Sequence, residues 1–102
     1  MLLSKIIDNS GTKIHYLDST HASDPALTPL VISPGLSETA EEYMDLLEFM
    51  LPRRSVVLSY RGRGKSDTPD TGYNLSEHIT DLAAVIRDTG LTKHHIMGYS
   101  RW

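Results

Sequence analysis

Cysteine is absent from the 102 residues, which excludes a disulfide framework and thiolate metal sites and leaves the cytosol as the default compartment. Aromatic residues are sparse, at 7% with one Phe and one Trp. No apolar run approaches the ~20 residues of a membrane span. The N-terminal Met-Leu-Leu-Ser-Lys lacks the basic start and extended apolar core of a secretory signal. Basic charge is not in excess either: 10 Lys and Arg stand against 13 Asp and Glu, for a net charge of −3. That balance offers no electrostatic footprint for nucleic acid or an anionic membrane. These absences give the expectation of a soluble, cytoplasmic protein with neither nucleic acid nor membrane as partner.

What is present is ordinary for a globular chain, with 39% hydrophobic and 23% charged residues and no internal repeat or low-complexity segment. The length suits one small domain, or a piece of an α/β domain that would run to roughly 200–250 residues. Leu2 to Ile7 and Lys13 to Asp18 are β-prone runs separated by Asp8-Asn9-Ser10-Gly11, a hairpin signal. Ser19 to Pro29 is polar, carries two prolines and reads as a surface loop. Leu30-Val31-Ile32 is a short continuous apolar run, the pattern of a strand buried on both faces.

Thr39 with Glu42 reads as a capping box opening a helix, with Ala40, Tyr43, Met44, Leu47 and Leu51 on its apolar face and Pro52 as its stop. Tyr43 and Met44 are therefore expected in the core. Val56-Val57-Leu58 gives the next buried strand. After the Gly-rich segment from Arg61 to Ser66 and a turn-rich stretch, a second helix is signalled by Ser76 as N-cap and Gly90 as stop. Ile79, Leu82, Ala83 and Ile86 mark its inner face. His95-Ile96-Met97 closes the pattern as a final strand. The order is a β-hairpin followed by β-α-β-α-β, an α/β fold with mainly parallel strands.

Three segments carry chemical information. The last, Gly98-Tyr99-Ser100-Arg101-Trp102, holds the first half of a Gly-x-Ser-x-Gly elbow, in which a strand turns sharply into a helix and exposes the serine. Trp102 stands where the second glycine belongs. The other two are Ser33-Pro34-Gly35-Leu36 after the third strand, and Ser59-Tyr60-Arg61-Gly62-Arg63-Gly64-Lys65-Ser66 after the fourth. Together, in this order, they resemble the N-terminal portion of the α/β-hydrolase superfamily. The third segment is similar to that family's Asp-x-Arg-Gly-x-Gly-x-Ser turn at Arg61, Gly62, Gly64 and Ser66. Ser59 replaces its usual Asp, and Pro34 replaces the usual His of the oxyanion loop.

The resemblance implies Ser100 as the nucleophile, with the backbone N–H groups of Leu36 and Arg101 forming the oxyanion hole. It implies attack on an ester, amide or related acyl carbon of a small molecule, without cofactor or metal. Ser100 argues against the branches that use aspartate, such as epoxide hydrolases and haloalkane dehalogenases. Lyase, acyltransferase and peroxidase branches stay open. The acid and histidine of the family follow the serine in sequence, so none of the five histidines carries over as base. They read as surface or strand-end residues, and His94-His95 is no metal site, because strand neighbours point to opposite faces. The expectation is a single incomplete α/β-hydrolase domain over 1–102, truncated at the nucleophile elbow and inactive alone.

The alternatives are a non-catalytic product or interaction module that self-associates through its unpaired final strand, and a P-loop ending in Gly64-Lys65-Ser66. The P-loop reading lacks its opening glycine and a helix directly after Ser66. The Arg61 segment reads as a structural turn.

Overall fold

The computed structural model describes residues 2–35 and 37–99. A hairpin comes first. β1 (Leu3–Asn9) and β2 (Thr12–Asp18) pair antiparallel from Leu3 opposite Asp18 to Asn9 opposite Thr12. The strands run closer together than the sequence suggests and leave a two-residue turn, Ser10-Gly11, with φ of 50° and 97°. Two consecutive positive φ values match the twist of a hairpin, and glycine adopts one without side-chain collision. Asp8 Oδ2 accepts the Gly11 N–H at 3.2 Å.

β3 (Leu30–Ser33), β4 (Ser55–Ser59) and β5 (His95–Gly98) extend the hairpin into a five-stranded sheet of order β1-β2-β4-β3-β5. β4 joins β2 antiparallel, whereas β3 pairs parallel with both β4 and β5. Val56, Val57 and Leu58 are at most 1% exposed, as their uninterrupted apolar run demands of a strand covered on both faces. Alternate residues feed two cores. Ile14, Tyr16, Val56 and Leu58 meet Val85 and Leu82 of α2 (Leu75–Thr89). Leu17, Ile32 and Val57 meet Ala40, Tyr43 and Leu47 on the other face.

The first helical segment is a 3₁₀ turn over Ala40–Tyr43 continued by α1 (Met44–Met50). Glu42 Oε1 accepts the Thr39 N–H at 2.7 Å, half of the reciprocal pairing expected of a capping box. Met44 is 42% exposed, against the expectation of a core position. The tight 3₁₀ turn eclipses side chains at every third residue and so shifts the buried row to Ala40, Tyr43 and Leu47.

α2 departs more. Its N-cap is Asn74, whose side chain accepts the Glu77 N–H at 3.0 Å, and Ser76 lies inside the first turn, its hydroxyl donating to Asn74 Oδ1 at 2.7 Å. The buried face is His78, Asp81, Ala84 and Val85. Ile79 is 56% exposed and Ala83 also faces out. The helix is turned because Asp81 has polar partners beneath it in Arg61 and Asn9 and His78 packs on the Tyr60 ring, contacts that outweigh the burial of Ile79. Gly90, at φ 73°, ends the helix as expected.

Candidate functional site

The parallel strands deliver their C-terminal ends to one edge of the sheet. β3 and β5 are direct neighbours, Ile32 facing Met97 and Ser33 facing Gly98. Beyond the ladder, the Tyr99 N–H donates to the Ser33 carbonyl at 3.1 Å. The chain therefore leaves β3 into Pro34-Gly35 and leaves β5 at Tyr99 side by side. Ser100, Arg101 and Leu36, the nucleophile and the two oxyanion donors expected from the sequence, lie outside the described residues. The residues immediately preceding them are those brought together here.

Two groups that sequence reasoning missed hold the loop after β3. Glu38 Oε1 accepts the Gly35 N–H at 2.6 Å and the Tyr43 hydroxyl at 2.6 Å, and the Glu38 N–H returns to the Gly35 carbonyl at 3.0 Å. Burial and the Glu38 carboxylate push the Tyr43 phenol well above its ordinary range. A carboxylate three residues beyond a glycine was the available signal. Below the loop, Ser33 Oγ and the Tyr60 hydroxyl lie 2.6 Å apart, and burial raises the Tyr60 pKa. A shallow cavity of about 360 Å³ beside them is lined by Glu38, Glu42, Tyr43, Leu46, Met97 and Tyr99.

The Gly-rich segment after β4 is a structural turn. The buried Arg61 guanidinium grips Asp81 of α2 with Nη2 at 2.7 Å and Nε at 3.0 Å, and its Nη1 donates to the Gly72 carbonyl at 3.1 Å. The carboxylate raises the Arg61 pKa, burial opposing it. Asn9 Nδ2 adds a bond to Asp81 at 2.8 Å. Ser59, in the place of the family's Asp, accepts the Ala40 N–H at 2.7 Å, and Ser66 Oγ donates to the Ser59 carbonyl at 2.6 Å. Gly64 is required: a Cβ there would fall 2.8 Å from Ser59 Oγ, at a φ of 50°. Ser66 leads into turns, and the next helix opens only at Leu75, so the segment lacks the helix N-terminus that a P-loop needs.

Two histidines are buried, against the surface reading: His15 is 1% and His78 6% exposed. His78 packs edge-on to Tyr60 with ring centroids 5.4 Å apart, and its Nδ1 lies 2.9 Å from the Asn74 carbonyl. An aromatic ring beneath α2 gives the imidazole a packing partner, which a count of apolar residues overlooks.

No protein-family model and no curated protein matches the chain, but solved structures resemble it over nearly its whole length. An α/β hydrolase from Novosphingobium aromaticivorans is 23% identical at a TM-score of 0.81, covering 95% of this chain and 34% of that one. The Cif epoxide hydrolase from Acinetobacter nosocomialis is 20% identical at 0.80, covering 97% and 30%. The haloalkane dehalogenase DbeA from Bradyrhizobium elkani is 14% identical at 0.81, covering 96% and 33%. The chain has the α/β-hydrolase fold. It spans about a third of the length of these structures and matches the N-terminal part of the α/β-hydrolase sheet. In that fold the edge where β3 and β5 end is where loops after the strands gather, the general location of ligand sites in open parallel sheets. No helix among the described residues is long and apolar enough to cross a membrane.

Proposed function

We propose that the chain supplies the nucleophile and oxyanion hole of a serine hydrolase acting on a small acyl substrate. Ser100 attacks the acyl carbon, and the N–H groups of Leu36 and Arg101 stabilise the oxyanion. A histidine and an acid that would follow Ser100 remove its proton and orient the imidazole. The observation that supports this most is the Tyr99 N–H to Ser33 carbonyl bond at 3.1 Å, because it joins the residue before Ser100 to the strand end that leads into Leu36. Glu38 and Tyr43 serve by fixing the Gly35 amide and so the course of the loop. Serine chemistry on this fold also serves lyases and acyltransferases, and Ser100 sets the chain apart from the branches that use aspartate as nucleophile. A cytoplasmic setting completes the proposal, with neither nucleic acid nor membrane as partner.

The test is a chimera in which residues 1–102 replace the matching third of the Novosphingobium hydrolase. Hydrolysis of an activated short-chain ester that disappears in Ser100→Ala is the expected result. A chimera with native circular dichroism and no Ser100-dependent hydrolysis would defeat the reading.

A second copy of the chain is the other partner we propose, paired through the outer edge of β5. Ile96, 57% exposed on a strand that has no neighbour beyond it among the described residues, favours this.

A further inference from the structure

The hairpin and the 3₁₀ turn over Ala40–Tyr43 bring together a serine, a histidine and a carboxylate, far from Ser100 in sequence. The buried ring of His15 on β2 places Nε2 2.6 Å from Ser4 Oγ on β1. On its opposite side Nδ1 faces Glu41 Oε2 at 3.7 Å, longer than a hydrogen bond. Those two atoms are the buried side-chain nitrogen and oxygen that lack a hydrogen-bond partner among the described residues, and each supplies what the other needs. A proton on Nδ1, directed at the carboxylate, leaves Nε2 as acceptor for the Ser4 hydroxyl. Ser4 itself is exposed, and Ile6, 51% exposed, stands two residues along on the same face of the strand.

We propose that Ser4 is a nucleophile activated by His15 and Glu41, one that takes an acyl group from an activated ester independently of Ser100. Ser4 Oγ bonds to the acyl carbon while its proton passes to His15 Nε2. The ester C–O bond then breaks, and the leaving phenol departs with the electron pair and recovers that proton. Rotation of the Glu41 side chain closes the gap to Nδ1–H and stabilises the imidazolium as it forms. Burial holds the His15 pKa below 6.5, Glu41 opposing and Lys65 assisting, so the ring is the neutral base at neutral pH. Lys65 Nζ, 3.8 Å from Glu41 Oε2, competes for the same carboxylate. On an exposed strand the oxyanion is solvated by water rather than by fixed donors worth about 10²–10³ in rate. The acyl donor therefore needs a good leaving group, and the acyl-serine persists.

The intact chain is incubated with p-nitrophenyl acetate and the adducts are located by tandem mass spectrometry. The expected result is acetyl on Ser4, retained in Ser100→Ala, lost in Ser4→Ala, and reduced about tenfold or more in His15→Gln and Glu41→Gln. Glu41 is partly exposed, so its variant keeps the test independent of any folding defect at His15, with circular dichroism as the check. Ser4 left unlabelled, or labelled equally in folded Glu41→Gln, would overturn the proposal. Label confined to Ser100 would do the same while supporting the serine-hydrolase reading.

Discussion

Arg61 and Asp81 form a buried ion pair at 2.7 Å, 7% and 0% exposed, and it decides how the turn after β4 meets α2. Removing one partner strands the other charge in a medium that solvates it poorly. Asp81→Ala is expected to lower stability by about 3–5 kcal/mol, a large part of the ~5–15 kcal/mol typical of a domain. Urea unfolding gives the value, and a loss under about 1 kcal/mol would show that the pair is solvated in the native state. Replacing both partners with apolar residues is expected to recover much of the loss. The turn itself was legible in Arg61, Gly62 and Gly64. Its partner was not, because an aspartate within an amphipathic helix is read by default as facing water. His15 escaped for the same reason: it owes its position to Ser4 and Ser66, polar partners that no local pattern reveals.

Among the elements, strands were the more readable. Val56 to Leu58 and Leu30 to Ile32 announce burial through continuous apolar runs, and Asp8 to Gly11 announces the hairpin turn. For α2 the C-terminal stop at Gly90 followed from its sequence, but the start and the inner face did not. Asn74 and Ser76 are both good caps two residues apart, and the choice rests on which lies outside the helix once His78 and Asp81 face the sheet. Asn74→Ala is accordingly expected to cost about 1 kcal/mol through loss of the bond to the Glu77 N–H. Ser76→Ala should fall within about 0.5 kcal/mol of the parent. Denaturation of the two variants side by side checks this, and a larger effect at Ser76 would restore it as the cap.

At the scale of the molecule, the sheet has two unlike edges. β1 carries Lys5 and Asp8, charges that discourage pairing with another strand. β5 carries Ile96 and Met97 after His95 and ends beside Tyr99, 60% exposed. Association through β5 is expected to appear as a concentration-dependent mass in size-exclusion chromatography with light scattering, and Ile96→Lys is expected to reduce it. Parent protein that stays monomeric across the series, or a lysine variant that associates as before, would refute pairing at this edge. The α/β class and the sequence of elements were legible in the chain. The strand order β1-β2-β4-β3-β5 was not, because no local pattern specifies which strands are neighbours; the three motifs together pointed only to the fold. The proposed roles of Ser100, Leu36 and Arg101 rest on the adjacency of the strand ends that precede them. β3 and β5 lie side by side and parallel, and isotope-edited NMR is the measurement that tests this arrangement. Cross-strand NOEs from Val31 to Ile96 and from Ile32 to Met97, with a Tyr99 amide protected from exchange by the Ser33 carbonyl, are predicted. NOEs placing β5 against β1, or a freely exchanging Tyr99 amide, would contradict it.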